Sequence, residues 1–175
     1  NNGYFPLSSS TTILVDDATL LKEALVLKNA MEQKGLDVKL AEKVSDNRKY
    51  IQLRLGNVTA PQNQSEAYHL ETTTDKIVLT ANTPQGIYSG IQTLMQLMRD
   101  NVFVDASEIT DWPAYAWRGF MVDVGRNYQS IKLLKQQIDA MAAYKLNIFH
   151  FHPTEDIAWR LQSKLYPQLT DPEYM

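Results

Sequence analysis

Two textures of apolar and polar residues follow one another along the chain and change across "EITDWPAYAW" (108–117). After a polar lead over residues 1–10, "TTILVD" (11–16) reads as a β-branched strand. Leu20, Leu21, Ala24, Leu27 and Met31 then recur at helical spacing until Gly35 stops them, with Asp16 or Asp17 available as a cap. "DVKLA" (37–41) and "YIQLRLG" (50–56) predict short strands, the second with Ile51, Leu53 and Leu55 alternating against Gln52 and Arg54. "EAYHLETT" (66–73) and "KIVLTA" (76–81) flank Thr74-Asp75 and read as a β-hairpin. "TPQGIYSGIQTLMQLM" (83–98) predicts a helix capped by Thr83, with Pro84 at its first position and a stripe of Ile87, Tyr88, Ile91, Leu94, Met95 and Met98. Gly86 and Gly90, four apart inside it, point to close helix–sheet packing, because glycine within a helix otherwise costs about 1 kcal/mol.

Residues 11–107 therefore read as an α+β sandwich, a sheet with its helices on one face, and 108–116 as a linker in which Trp112-Pro113 resists a regular element. Beyond it, "WRGFMVDV" (117–124) is a buried-strand run. "SIKLLKQQIDAMAAYKL" (130–146) is a helix with Ser130 as cap and Ile131, Leu134, Ile138 and Met141 on one face, and "NIFHFH" (147–152) is a second strand. Strand, helix, strand predicts a parallel pair joined by a crossover.

The totals remove several function classes. Apolar residues are 44% of the 175 positions, enough for a packed core, and a formal net charge of −3 with interspersed signs gives no footprint for nucleic acid. Absent cysteine excludes a disulfide scaffold and thiolate chemistry. No apolar run approaches the roughly 20 residues of a membrane span. "NNGYFPLSSS" has neither a basic nor an apolar leader segment and reads as a mature or trimmed terminus.

In parallel α/β folds the working side chains gather at the carboxyl ends of strands. The first strand of the pair ends in Asp123 and Arg126; the second ends in His150, His152, Glu155 and Asp156, with the histidines on one face by alternation. Each residue also has a structural reading. Arg126 can be an ion-pair partner of Asp123, His150 a hydrogen-bonded interior histidine, and Glu155 and Asp156 loop acids capping a following helix. Trp159 can be packing and Arg160 a salt-bridge donor. His150-x-His152 followed by two acids is also a start to a metal site, but His69 lies in the other segment and ligands from elsewhere would be required. No metal and no cofactor are expected.

"WRGFMVDVGRNY", the helix ending "MAAYKLN" and "HFHPTEDIAWRLQSKLYPQLT" resemble the opening of the catalytic barrel of family 20 glycoside hydrolases, the β-N-acetylhexosaminidases. "EAYHLETTTDKIVLTANTPQGIYSGIQTLMQLM" resembles the small α/β domain that precedes it. The resemblance implies that residues 117–175 begin a (β/α)8 TIM barrel, with 117–123 and 147–152 as its first two strands. It implies retaining hydrolysis of terminal N-acetylhexosamine from glycans. In that reaction the substrate's acetamido oxygen attacks the anomeric carbon, an aspartate orients the acetamido nitrogen, and an adjacent glutamate protonates the leaving oxygen.

Arg126 matches the family arginine that binds sugar hydroxyls, and Glu155 the acidic position that holds a histidine beside the general acid. His152, Asp156 and Asp123 stand around them as supporting residues. Asn127 replaces the usual histidine after the arginine, and Pro153 a common leucine, two departures that bear on the local turn and on substrate preference.

A complete barrel takes about 250 residues. The resemblance therefore places the catalytic Asp-Glu pair beyond Met175, so no catalytic residue is expected within this chain and the chain alone is expected to be inactive. An unfinished barrel is also expected either to self-associate through residues 117–175 or to hold that segment against its own small domain. A periplasmic, cell-surface or secreted location follows from the resemblance alone. The other reading is a non-catalytic carbohydrate-binding or interaction module on the same framework; a metal-dependent hydrolase using His150 and His152 ranks behind both.

Overall fold

The computed structural model describes residues 3–43, 49–98 and 103–171. Parts of the expected elements that fall on 1–2, 44–48, 99–102 and 172–175, including the end of the barrel segment, lie outside the described residues. The chain divides into two compact units, Asn1–Ala116 and Trp117–Met175.

In the first unit the strands are β1 (Tyr4–Pro6), β2 (Thr12–Val15), β3 (Lys39–Ala41), β4 (Tyr50–Leu55), β5 (Tyr68–Thr72), β6 (Lys76–Ala81), β7 (Phe103–Asp105) and β8 (Ser107–Asp111). Helix α1 (Leu21–Gln33) follows β2, and α2 (Pro84–Leu97) follows β6. Six strands form one mixed sheet in the order β3-β2-β4-β6-β5-β8. The first four run parallel, β5 is antiparallel to β6, and β8 is antiparallel to β5. Helices α1 and α2 touch each other and both lie against the sheet. Ala24, Leu27 and Met31 from α1 and Ile87, Ile91 and Leu94 from α2 share one core with the strand positions Ile13, Ile51, Leu53, Leu70, Ile77 and Leu79.

Local signals account for most of these elements. Thr83 Oγ1 accepts the Gly86 amide at 3.3 Å and Pro84 opens α2, as the sequence predicts. The two glycines of α2 are spacers: a Cβ on Gly90 would lie 2.3 Å from Leu79 Cδ1, and one on Gly86 2.6 Å from the Ala67 carbonyl oxygen. The chain leaves α1 through Gly35 at φ +83°. Thr73 ties the β5–β6 turn by accepting the amides of Asp75 and Lys76.

Four expectations for this unit change. The lead over residues 1–10 is not merely polar: β1 pairs antiparallel with β7 and Phe5 is fully buried. A three-residue strand holding a proline, whose partner lies about a hundred residues away, leaves no local period to read. The linker is shorter than 108–116, because Ser107–Asp111 completes the sheet edge beside β5. Leu55, at the end of β4, is exposed although Ile51 and Leu53 are buried. Asp17 caps a 3-10 turn at 18–20 by accepting the Thr19 amide, so it acts one turn ahead of α1.

The second unit contains β9 (Gly119–Asp123), α3 (Ile131–Ala143), β10 (Ile148–His152) and a two-stranded hairpin of β11 (Thr154–Glu155) and β12 (Ala158–Trp159). Strands β9 and β10 are parallel neighbours. Ser130 Oγ accepts the Leu133 amide and starts α3. The core is small: Val122, Val124 and Leu134, with Phe149 against them. "WRGFMVDV" is therefore not a buried run, since Phe120 and Met121 are 44% and 53% exposed, and Ile131 and Ile138 on α3 are exposed as well. Among the described residues β9 has one strand neighbour, and two of its three apolar side chains, Phe120 and Met121, have no cover.

Candidate functional site

The parallel register opposes Asp123 to His152, placing a carboxylate and an imidazole side by side at the carboxyl ends of β9 and β10. The ladder continues one step further, with the Val124 amide donating to the His152 carbonyl at 3.0 Å. The chain then turns, and Asp123 Oδ1 accepts the Arg126 backbone N–H at 2.9 Å. That short turn folds the Arg126 side chain back, so Nε lies 3.4 Å from Asp123 Oδ2.

Glu155 arrives from the other strand. After Pro153 the chain makes the β11–β12 hairpin, and Gly125 lets that hairpin close in: a Cβ there would stand 3.0 Å from Glu155 Cβ. Glu155 Oε1 lies 3.4 Å from Arg126 Nη2 and 3.8 Å from His152 Nδ1, which is itself 3.4 Å from Asp123 Oδ2. Asp123, Arg126, His152 and Glu155 thus form one cluster assembled from two strand ends. The separations exceed the 2.7–2.9 Å of tight charge-assisted bonds. His152 Nδ1 is buried without a hydrogen-bond partner at this geometry.

Electrostatics follow the contacts. The Arg126 backbone N–H, helped by His152 and the guanidinium and opposed by desolvation, holds the Asp123 carboxyl below the usual carboxylate range. The Glu155 carboxylate first, and Asp123 next, hold the Arg126 guanidinium above its ordinary value. Two carboxylates therefore fix one planar cation whose side chain is still 65% exposed. A guanidinium steadied on one edge keeps further N–H donors in a rigid fork, which suits adjacent hydroxyl oxygens.

One ligand atom each from Asp123, His152 and Glu155 lie within 4.8 Å of one another, a spacing that could hold a cation. Both carboxylates already face Arg126, however, so the positive charge of this cluster comes from the protein. The metal reading that paired His150 with His152 changes: the rings do share a face, 6.3 Å apart, but His150 is exposed, outside the cluster and not the interior histidine it resembles in sequence.

Asp156 sits exposed at the hairpin turn and reaches Arg126 only through long-range attraction. No helix follows for Glu155 and Asp156 to cap, because 154–159 is a hairpin. Trp159 donates from Nε1 to the Leu161 carbonyl, and Arg160 supports the turn that follows β9. Its Nε donates to the Val124 carbonyl at 3.1 Å and its guanidinium lies 5.6 Å from the Tyr128 ring centroid. Arg160 and Gly125 are the supports that sequence reasoning missed. Only the "GR" within "DVGRNY" hinted at the close approach. Beside the hairpin a recess of about 400 Å³ is lined by Glu155, Asp156, Trp159, Gln168 and Leu169, among others.

Two family models match this chain, "Glycosyl hydrolase family 20, domain 2" over residues 1–112 and "Glycosyl hydrolase family 20, catalytic domain" over 115–174. The chain belongs to glycosyl hydrolase family 20. A β-hexosaminidase of Porphyromonas gingivalis is 35% identical over 95% of this chain, and a β-N-acetylhexosaminidase of Cellulomonas fimi 31% identical over 95%. Those alignments span 23% and 34% of the two relatives, so the family 20 chain described here covers between about a quarter and about a third of their length. Among solved structures, a family 20 exo-β-N-acetylglucosaminidase from Vibrio harveyi, in complex with N-acetylglucosamine, matches 97% of this chain with a TM-score of 0.84 and 26% identity. It is covered over 26% of its own length. A β-N-acetylhexosaminidase from Bacteroides fragilis matches 97% with a TM-score of 0.80 and 28% identity, covered over 34%.

Proposed function

We propose that the second unit supplies the sugar-gripping portion of a retaining β-N-acetylhexosaminidase and begins its TIM barrel. The observation that carries this reading is the Arg126 guanidinium seated between Asp123 and Glu155, with His152 behind them. Arg126 donates to neighbouring hydroxyls of the terminal N-acetylhexosamine; Asp123 and Glu155 hold its plane; His152 separates the two carboxylates. Asp156 adds negative charge at the rim. In the whole protein the acetamido oxygen of the substrate displaces the aglycone, and an Asp-Glu pair orients the acetamido group and protonates the leaving oxygen.

The sequence contains no Asp-Glu dipeptide, so the proton donor lies outside these 175 residues and the chain alone is expected to bind without turnover. N-Acetylhexosamine glycans are the proposed partners, and an extracytoplasmic location goes with them. No described helix is long and apolar enough to cross a membrane.

The alternative reading on the same framework is a non-catalytic carbohydrate-binding or interaction module. Titrating N-acetylglucosamine into the chain while following backbone amide shifts tests the shared premise. We expect shifts at Asp123–Arg126 and Glu155, lost in Arg126→Gln. Shifts that survive Arg126→Gln unchanged would remove the arginine from the sugar site. A chromogenic N-acetylglucosaminide should show no hydrolysis above a blank; clear turnover would place the acid within these residues.

A further inference from the structure

The face of the six-stranded sheet turned away from the helices carries a row of polar side chains with no part in the reading above. Register places Arg54 opposite Thr80, Thr80 opposite His69, and His69 opposite Thr110, so four adjacent strands contribute one residue each to a single line. With Asn57 and Thr59 from the loop after β4, they line a concavity of about 320 Å³. Three strand spacings make the row about 14 Å long.

This concavity is held in shape from several sides. Arg54 Nε donates to Thr80 Oγ1 at 2.9 Å, and Gly56 passes so close to Thr80 that a Cβ would sit 2.8 Å from its methyl group. The side chain of Asn82 clamps the loop, with Oδ1 accepting the Val58 amide at 2.8 Å and Nδ2 donating to the Val58 and Gln64 carbonyls, each at 2.8 Å. Val58, Ala60 and Ala67 form a small apolar cluster behind that loop. At the far end His69 Nδ1 bonds Thr110 Oγ1 at 2.9 Å, while Nε2 lies 3.7 Å from Glu108 Oε1. Arg54 is exposed and, among the described residues, has no carboxylate within ion-pairing distance. The row is thus cationic at the Arg54 end, rich in hydroxyls along its middle, and closed by a carboxylate at the other end.

We propose that this face is a second binding site, for a sugar bearing a sulfate or carboxylate group. The anionic substituent sits on the terminal amino groups of Arg54, and the ring hydroxyls run along Asn57, Thr80, His69 and Thr110. A guanidinium already pinned at Nε loses little freedom on pairing, and a clamped loop does not have to order itself around the ligand. The site lies wholly in the first unit and does not depend on the sugar-gripping role of Arg126.

Backbone amide and His69 ring shifts of the 175-residue chain provide the test, with four probes: N-acetylglucosamine 6-sulfate, methyl β-glucuronide, neutral N-acetylglucosamine and sodium sulfate. We expect either anionic sugar to move Gly56–Thr59, Thr80 and His69. We expect Arg54→Gln to weaken that binding about tenfold or more, as loss of a charge-assisted bond does, and Arg126→Gln to leave it unchanged. An unaltered circular dichroism spectrum checks that the Arg54 variant is folded. The proposal is overturned if neither anionic sugar moves these residues, if sodium sulfate binds as tightly as the sulfated sugar, or if Arg54→Gln binds like the parent chain. It is also overturned if neutral N-acetylglucosamine binds here equally well.

Discussion

The two units use the same kinds of element to different ends. In residues 1–116 both helices cover the sheet, and the apolar strand positions on that side are buried or, like Val15, Leu40 and Ile109, packed against the core, with the terminal Leu55 exposed. In residues 117–171 a parallel pair and one helix enclose a small cluster of Val122, Val124 and Leu134 with Phe149, and apolar residues on both β9 and α3 meet solvent. The first unit places its polar chemistry on the open face of a finished sheet. The second concentrates it at two strand ends. Apolar periodicity announces that a face is built for cover; it does not say what covers it.

The largest expected effect would test that contrast directly. Leu79→Ala removes a fully buried side chain that packs on α2, and should cost about 2–5 kcal/mol as a core truncation does, whereas Ile138→Ala on α3, 45% exposed, should cost less than about 1 kcal/mol. Chemical denaturation of both variants checks this. Equal losses would mean that α3 is covered in solution.

Cover is the subject of the next expectation. We propose that the chain self-associates through residues 117–175, because Phe120, Met121 and Phe151 leave apolar surface beside open strand edges. Light scattering should report a mass above the monomer, and joint substitution Phe120→Ser and Met121→Ser should lower it. A strictly monomeric chain cleaved readily within 117–175 would sink the idea.

A smaller effect concerns pH. The folded value of Asp123 is depressed, so its contribution is present above the ordinary value of 3.8 and fades as pH falls through the lower folded value. Amide protection factors (exchange corrected for its intrinsic pH dependence) at 119–123 and 148–152 should therefore fall in the parent chain below about pH 4. Asp123→Asn should lack that acid-dependent fall, and no such change is expected in β4 or β6. The smallest effect is at the ends of the helices. Gly35 after α1 and Lys145 after α3 both have positive φ, +83° and +58°. Lys145→Gly relieves the Cβ strain at some cost in chain entropy, a net gain of about 0.5 kcal/mol, measurable by thermal melting. A loss would show that the Lys145 side chain matters more than its backbone.

Legibility in the sequence followed the range of the interaction. Thr83, Pro84 and Ser130 announce helix starts, and Thr74-Asp75 announces a hairpin, because those signals act within a few residues. Asp123 and Arg126 were legible as a pair for the same reason, lying three apart on one turn. Lys145 gave no sign of the turn it makes, since the glycine that marks such a turn after α1 is missing there. β1 escaped because its pairing with β7 spans almost the whole unit.

By itself the sequence determined the longer strands and the three helices, most of their caps, and the residue types delivered to each strand end, all consequences of local backbone preference and periodic burial. Tertiary structure decided which of those residues meet. The β9–β10 register set His152 beside Asp123, the close passage at Gly125 brought Glu155 rather than His150 to Arg126, and the sheet order aligned Arg54, Thr80, His69 and Thr110. Such meetings join residues tens of positions apart, and only the folded backbone fixes the distances on which their chemistry depends.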